Sequence, residues 1–217
     1  MDNPHSYRIL VTGFEPFGGS IQNPSEQVAH ALEGARIGGA EICTAILPVD
    51  TVRAPRMLRA LLNDLQPDAV VCLGEAAGRQ TIAVEQVGVN LLDFRIPDNA
   101  GRLLVDQPVI EGAPDAYFAT LPVRALVEAI RTEGVPAELS LSAGAYLCNQ
   151  VLFILLHHLK QNGQNIPAGF IHLPNLPEQI VETGYSRSGM DRDTALRGIR
   201  AALDALAGTL NSSGIAE

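Results

Sequence analysis

Residues 69–74, AVVCLG, are a continuous apolar run closed by a glycine. A strand with no polar face must be covered on both sides, the condition of an interior strand in a largely parallel sheet flanked by helices. The rest of the chain offers such neighbours. YRILVTG (7–13), AEICTAILPV (40–49), TIAVEQVGVN (81–90), AELSLS (137–142) and AGFIHL (168–173) read as further strands. Helical patterns alternate with them near 25–32, 51–65, 123–132, 146–160 and 191–210. In the second of these, Met57, Leu58, Leu61, Leu62 and Leu65 recur at three- and four-residue spacing. Residues 91–119, with IPDNAG inside, read as an irregular excursion that is compatible with a hairpin and an antiparallel partner. Alternation of this kind predicts one α/β domain over residues 1–217, with helices on both faces of a mostly parallel sheet.

The bulk properties narrow the class of partner. Among 217 residues the formal net charge is −9, which argues against a nucleic-acid backbone or an anionic membrane surface, since both require clustered Lys and Arg. No apolar run reaches the roughly 18 residues needed to span a bilayer, and no basic segment precedes a long apolar one at the N-terminus. A cytoplasmic protein is expected. The three cysteines, Cys43, Cys72 and Cys148, are odd in number and lack a CxxC spacing, so neither a disulfide framework nor a thiolate metal site is expected. Asn211-Ser212-Ser213 matches the glycosylation pattern, which is idle without a secretory route. A P-loop, a well-placed GxGxxG, HExxH, a zinc-ligand cluster and GxSxG are all missing from the sequence, so it supports no nucleotide cofactor and no metal.

Ligands in open α/β sheets bind outside the carboxyl ends of strands. The first strand runs into GFEPFGG (13–19), which places Phe14 and Phe17, two of six phenylalanines, in a Gly- and Pro-rich turn. Such a turn serves equally as a wall of a binding pocket or as a hydrophobic plug. Cys148 falls in the first turn of a helix, where unpaired N–H groups and the helix dipole favour thiolate and can receive an oxyanion. A small buried hydrophobe is the competing reading. Cys43 and Cys72 sit inside strands and are assigned to the core.

A cysteine nucleophile requires a base that can also protonate the leaving amine. His157 and His158 share the helix of Cys148 but lie more than two turns away, about 13–15 Å along its axis. His5 sits in the terminus and His30 on the first helix. Only His172 ends a strand, ahead of the proline-braced LPNLPE. Glu85 lies within TIAVEQVGVN, either on a solvated face or buried with a partner, since an isolated buried carboxylate is costly. Arg79, Arg95 and Asp98 near turns read as ordinary surface charge.

Taken together, VTGFEPFGG with NPS, LPV, GEAAGR, ExVxVN with IPDNAG, SAGAYLCN and AGFIHLPNLPEQ, in that order, resemble the pyroglutamyl-peptidase I family of cysteine peptidases over nearly the whole chain. The resemblance implies a three-layer α/β/α sandwich, usually in a homotetramer. It also implies N-terminally pyroglutamylated peptides as substrates, with no metal or cofactor. Residue by residue, it puts the nucleophile on Cys148, the histidine on His172, the acid on Glu85 and an oxyanion-holding arginine on Arg95. Phe14 and Phe17 would enclose the pyrrolidone ring, with Asn23, Glu75, Ile96 and Leu147 as further substrate-binding positions. The chain departs from the family in carrying Glu75 where Gln is frequent, Gln150 where His is common and Gln86 where Arg often follows the acid. Two other readings accompany this one: a lactam-binding homologue with weak or no catalysis, and a phosphorylase-like enzyme on a similar fold.

Overall fold

The computed structural model of the chain describes residues 6–179 and 189–213; His5 lies outside them. In chain order the strands are β1 (Arg8–Phe14), β2 (Arg36–Ile37), β3 (Ala40–Leu47), β4 (Ala69–Glu75) and β5 (Ile82–Glu85), then β6 (Val87–Val89), β7 (Ala116–Phe118), β8 (Ala137–Ser140) and β9 (Ala168–Leu173). The long helices are α1 (Pro24–Leu32), α2 (Arg53–Leu65), α3 (Val123–Thr132), α4 (Leu147–Gln161) and α5 (Arg192–Ser213). Seven strands make one sheet in the order β2-β3-β1-β4-β9-β5-β8, and β6 pairs with β7 in a separate ribbon.

AVVCLG occupies the centre of that sheet as β4, parallel to β1 on one side and β9 on the other. Its side chains alternate between two cores. Val71 and Leu73 join α1, α3 and α5 on one face. Val70 and Cys72 join α2 and α4 on the other. Burial on both faces is what a run without polar residues requires, and each fully buried Val or Leu contributes roughly 1.5–3 kcal/mol relative to exposure. The result is a three-layer α/β/α sandwich, mostly parallel. Among the cysteines, Cys72 is buried as expected, whereas Cys43 is only half-buried.

Three features differ from the sequence reading. The predicted strand 81–90 divides after Glu85. β5 stays in the main sheet, while the chain turns at Gln86, whose N–H reaches Ser140 O and whose carbonyl accepts from Ala119 N–H, and continues as β6 in the ribbon. There Gly88 passes so close to α4 that an added Cβ would lie 3.0 Å from Leu152 Cγ. Secondly, β5 runs antiparallel to β9, with β8 parallel to β5, so the carboxyl ends of β5 and β8 do not share an edge with those of β1, β4 and β9. Thirdly, a two-residue edge strand, β2, precedes β3 and was not anticipated, being too short to carry a period. The excursion at 91–119 does contain the antiparallel partner the sequence allowed, β7 against β6. No helix among the described residues is long and apolar enough to cross a membrane.

Candidate active site

The antiparallel junction of β5 and β9 creates the first element of the site. Register pairs Ala83 with His172 and Glu85 with Phe170, so Glu85 and His172 are diagonal neighbours on one face, within reach of long side chains. Glu85 Oε1 lies 2.8 Å from His172 Nδ1. Glu85 is fully buried and His172 is 4% exposed, so the face of TIAVEQVGVN that carries Glu85 is not solvated. Arg79, read from sequence as surface charge, approaches the same Oε1 at 3.5 Å. It also donates to Ser140 Oγ and Ser142 O, each at 3.2 Å.

On the other side of His172 lies Gly74, its register partner on β4. A Cβ on Gly74 would stand 2.9 Å from Cys148 Sγ and 2.7 Å from Phe170 Cζ. The missing side chain therefore lets the α4 sulfur settle on the strand next to His172. Cys148 is the second residue of α4, so its N–H, like those of Leu147 and Asn149, has no acceptor in the preceding turn; the first intrahelical bond runs from Gln150 N–H to Tyr146 O. One expectation is corrected here. Burial above all, then the Glu85 and Glu75 carboxylates, push the Cys148 thiol above its ordinary value. The helix N-terminus does not by itself deliver a standing thiolate.

Beside the thiol is a small apolar pocket lined by Phe14, Phe17, Val49, Tyr146 and Leu147, with Asn23 and Glu75 also in its wall. Phe14 is the last residue of β1 rather than part of the turn, is 3% exposed and faces Phe170 at 6.5 Å between centroids. Phe17 lies in the turn itself and packs against Tyr146 at 6.0 Å. The turn closes on Gly18 and Gly19, at φ of +62° and +86°, values that a side chain would strain. Asn23 caps α1: its Oδ1 accepts from Ser25 N–H and Ser25 Oγ, and its Nδ2 donates to Glu15 O. Arg95 is exposed and Ile96 is 41% exposed; an added Cβ on Gly18 would meet Ile96 Cδ1 at 3.4 Å, so the 91–119 excursion reaches the first turn.

The candidate site thus joins the buried Glu85–His172 pair, the Cys148 sulfur lying against Gly74 of β4, and a small apolar pocket beside that sulfur. The family model described as pyroglutamyl peptidase matches residues 7–209. The chain belongs to the pyroglutamyl peptidase family. It is 48% identical to a pyrrolidone-carboxylate peptidase of Gloeobacter violaceus, over 92% of this chain and 96% of that one. With the corresponding peptidase of Pyrococcus furiosus it shares 45% identity, over 81% of this chain and 84% of the other. Its fold matches the pyrrolidone carboxyl peptidase structure from Thermococcus litoralis with a TM-score of 0.91 at 41% identity, covering 95% of this chain and 96% of that one. It matches the pyroglutamyl peptidase I structure from Bacillus amyloliquefaciens at 0.90 and 36% identity, covering 93% and 95%.

Within this family member, several residues that hold the site had no sequence signal strong enough to single them out. Asn149, next to the thiol, is fully buried; it donates to Val89 O and Leu91 O and accepts from Val89 N–H, fastening α4 to the β6 segment. Glu15 accepts from Val49 N–H and from Asn99 Nδ2, which also donates to Pro16 O. Asp98, read as surface charge, is instead 4% exposed and accepts from Thr51 N–H, Thr51 Oγ1, Ala100 N–H and Arg102 N–H. Burial alone would raise its carboxyl, but these bonds outweigh that and hold it below the ordinary value. Gln150 donates to Thr51 O while its Oε1 is buried without a partner. Among the described residues no group of three His, Cys, Asp or Glu side chains is arranged to hold a metal ion.

Proposed function

We propose that the protein is a cysteine exopeptidase that removes an N-terminal pyroglutamyl residue from peptides. The observation that carries the reading is the Glu85–His172 pair, 2.8 Å apart and buried, in register with the glycine on which the Cys148 sulfur rests. In this mechanism Cys148 Sγ attacks the carbonyl between pyroglutamate and the next residue as its proton passes to His172. Glu85 holds the imidazole orientation and stabilises the imidazolium. The free N–H groups at the start of α4, with Arg95, receive the oxyanion. His172 returns the proton to the departing amine, leaving a thioester, which water then hydrolyses. No step requires a metal or cofactor.

Specificity follows from the pocket. A flat, neutral lactam suits Phe14, Phe17 and Leu147, with Ile96 at the entrance, while Asn23 and Glu75 brace the pocket walls through their bonds to Ser25, Glu15, Asn175 and Gln179. An ordinary N-terminal ammonium would lose its hydration among those rings. The reading takes residues 1–217 as one domain, acting in the cytoplasm as a homotetramer on peptides rather than on nucleic acid or membrane. The test is turnover of a pyroglutamyl-anilide: Cys148→Ala should abolish it, and Cys43→Ala and Cys72→Ala should retain it. Full activity in Cys148→Ala overturns the assignment.

A further inference from the structure

Glu75 ends β4 beside the pocket, and both of its oxygens are engaged. Asn175 Nδ2 donates to Oε1, and Gln179 Nε2 donates to Oε2 at 2.9 Å. Neither amide is free to turn over. Gly78 N–H donates to Asn175 Oδ1 at 3.0 Å, and Leu176 N–H donates to Gln179 Oε1 at 2.8 Å. Two backbone donors thus fix both amide oxygens, so both NH₂ groups point at Glu75, which must accept twice. A carboxylate meets that demand; a carboxamide or a protonated carboxyl meets it once and opposes a donor with a donor. Gln179 Nε2 also reaches Ser20 Oγ at 3.2 Å and Gln22 O at 3.1 Å, on the far side of the turn that carries Phe17.

We propose that Glu75 is a positioning residue: its ionised carboxylate clamps the turn after β9 to the first turn and so holds the acyl pocket closed around substrate, and protonation of Glu75 releases it. This rests on the proposed function for its substrate but not for its geometry. The titratable neighbours are the Cys148 thiol on α4 and His172 on β9; Arg79, beyond β4, is turned to Glu85, Ser140 and Ser142. No ion pair to Glu75 forms among the described residues. Burial raises its carboxyl above the ordinary value, only partly offset by the Gln179 and Asn175 bonds.

The experiment follows KM and kcat for a pyroglutamyl-anilide against pH in the wild type and Glu75→Gln. The wild-type KM should climb as pH falls while Glu75 takes up its proton. Glu75→Gln should show KM raised roughly tenfold at neutral pH, the loss of one hydrogen bond to a charged group, with that acid rise gone and kcat little changed. An unchanged KM with the same acid rise overturns the proposal. Hydrogen exchange of residues 15–22 in the wild type, corrected for intrinsic rates, is the second readout and needs neither the variant nor turnover. Protection lost on acidification supports the clamp, and protection indifferent to pH overturns it. If the wild type fails to cleave the anilide, the peptidase reading falls while the exchange result still decides the clamp.

Discussion

The Cys148 sulfur lies against Gly74: a Cβ added to that glycine would stand 2.9 Å from Sγ. The same Cβ would stand 2.7 Å from Phe170 Cζ, so one or both neighbours would have to shift. Gly74→Ala should therefore displace the thiol from His172 and lower kcat/KM by roughly 10²-fold, as misplacement by about an ångström does. Overpacking should cost about 1–3 kcal/mol in chemical denaturation. A variant with full activity would show that the sulfur does not work from this position.

The Glu85–His172 pair predicts a split between chemistry and binding. Glu85→Gln keeps the shape but removes the charge that stabilises imidazolium, so kcat should fall roughly 10²- to 10⁴-fold, with KM nearly unchanged. Steady-state kinetics on the pyroglutamyl-anilide reads both. A parallel rise in KM would place Glu85 in substrate binding instead.

Because burial and two carboxylates hold the Cys148 thiol above its ordinary value, little thiolate exists at neutral pH without an acceptor for the proton. In His172→Ala, alkylation of Cys148 by iodoacetamide at pH 7 should be at least about tenfold slower than that of a free cysteine. It should keep rising with pH beyond the range in which a free thiol levels off. Peptide mapping of the labelled cysteine measures this directly.

Cys72 should shape alkaline stability. Burial raises it from 9.0 to about 12. The folded state keeps this proton where the unfolded chain has lost it. Stability is thus fully present below pH 9 and falls as pH climbs from 9 towards 12. Cys72→Ala should flatten that fall in urea unfolding series between pH 8 and 10.5, at the cost of a small cavity.

Asn149→Ala removes three hydrogen bonds that fasten α4 to the β6 segment and leaves Val89 and Leu91 backbone groups unpaired. A loss of about 2–4 kcal/mol is expected, together with reduced kcat, since the start of α4 carries the thiol. Normal stability with normal turnover would remove Asn149 from the support of the site.

The sequence by itself determined the layers. An apolar run such as AVVCLG leaves a strand no solvent face, and the periods of α2, α3 and α5 leave each helix one apolar side, so a covered parallel sheet follows from local pattern. The ordered motifs around Cys148 and His172 likewise pointed to one family. The tertiary structure decided the rest, because it depends on register and on contacts far apart in the chain. Only the reversed direction of β5 puts Glu85 diagonal to His172, and only Gly74 between them and α4 lets the thiol approach. Asp98 became a buried four-fold acceptor and Arg79 a neighbour of Glu85, although both look like surface charge in one dimension. The thiol's protonation state was also beyond local reading: a helix N-terminus favours thiolate, but burial and two distant carboxylates oppose it more strongly.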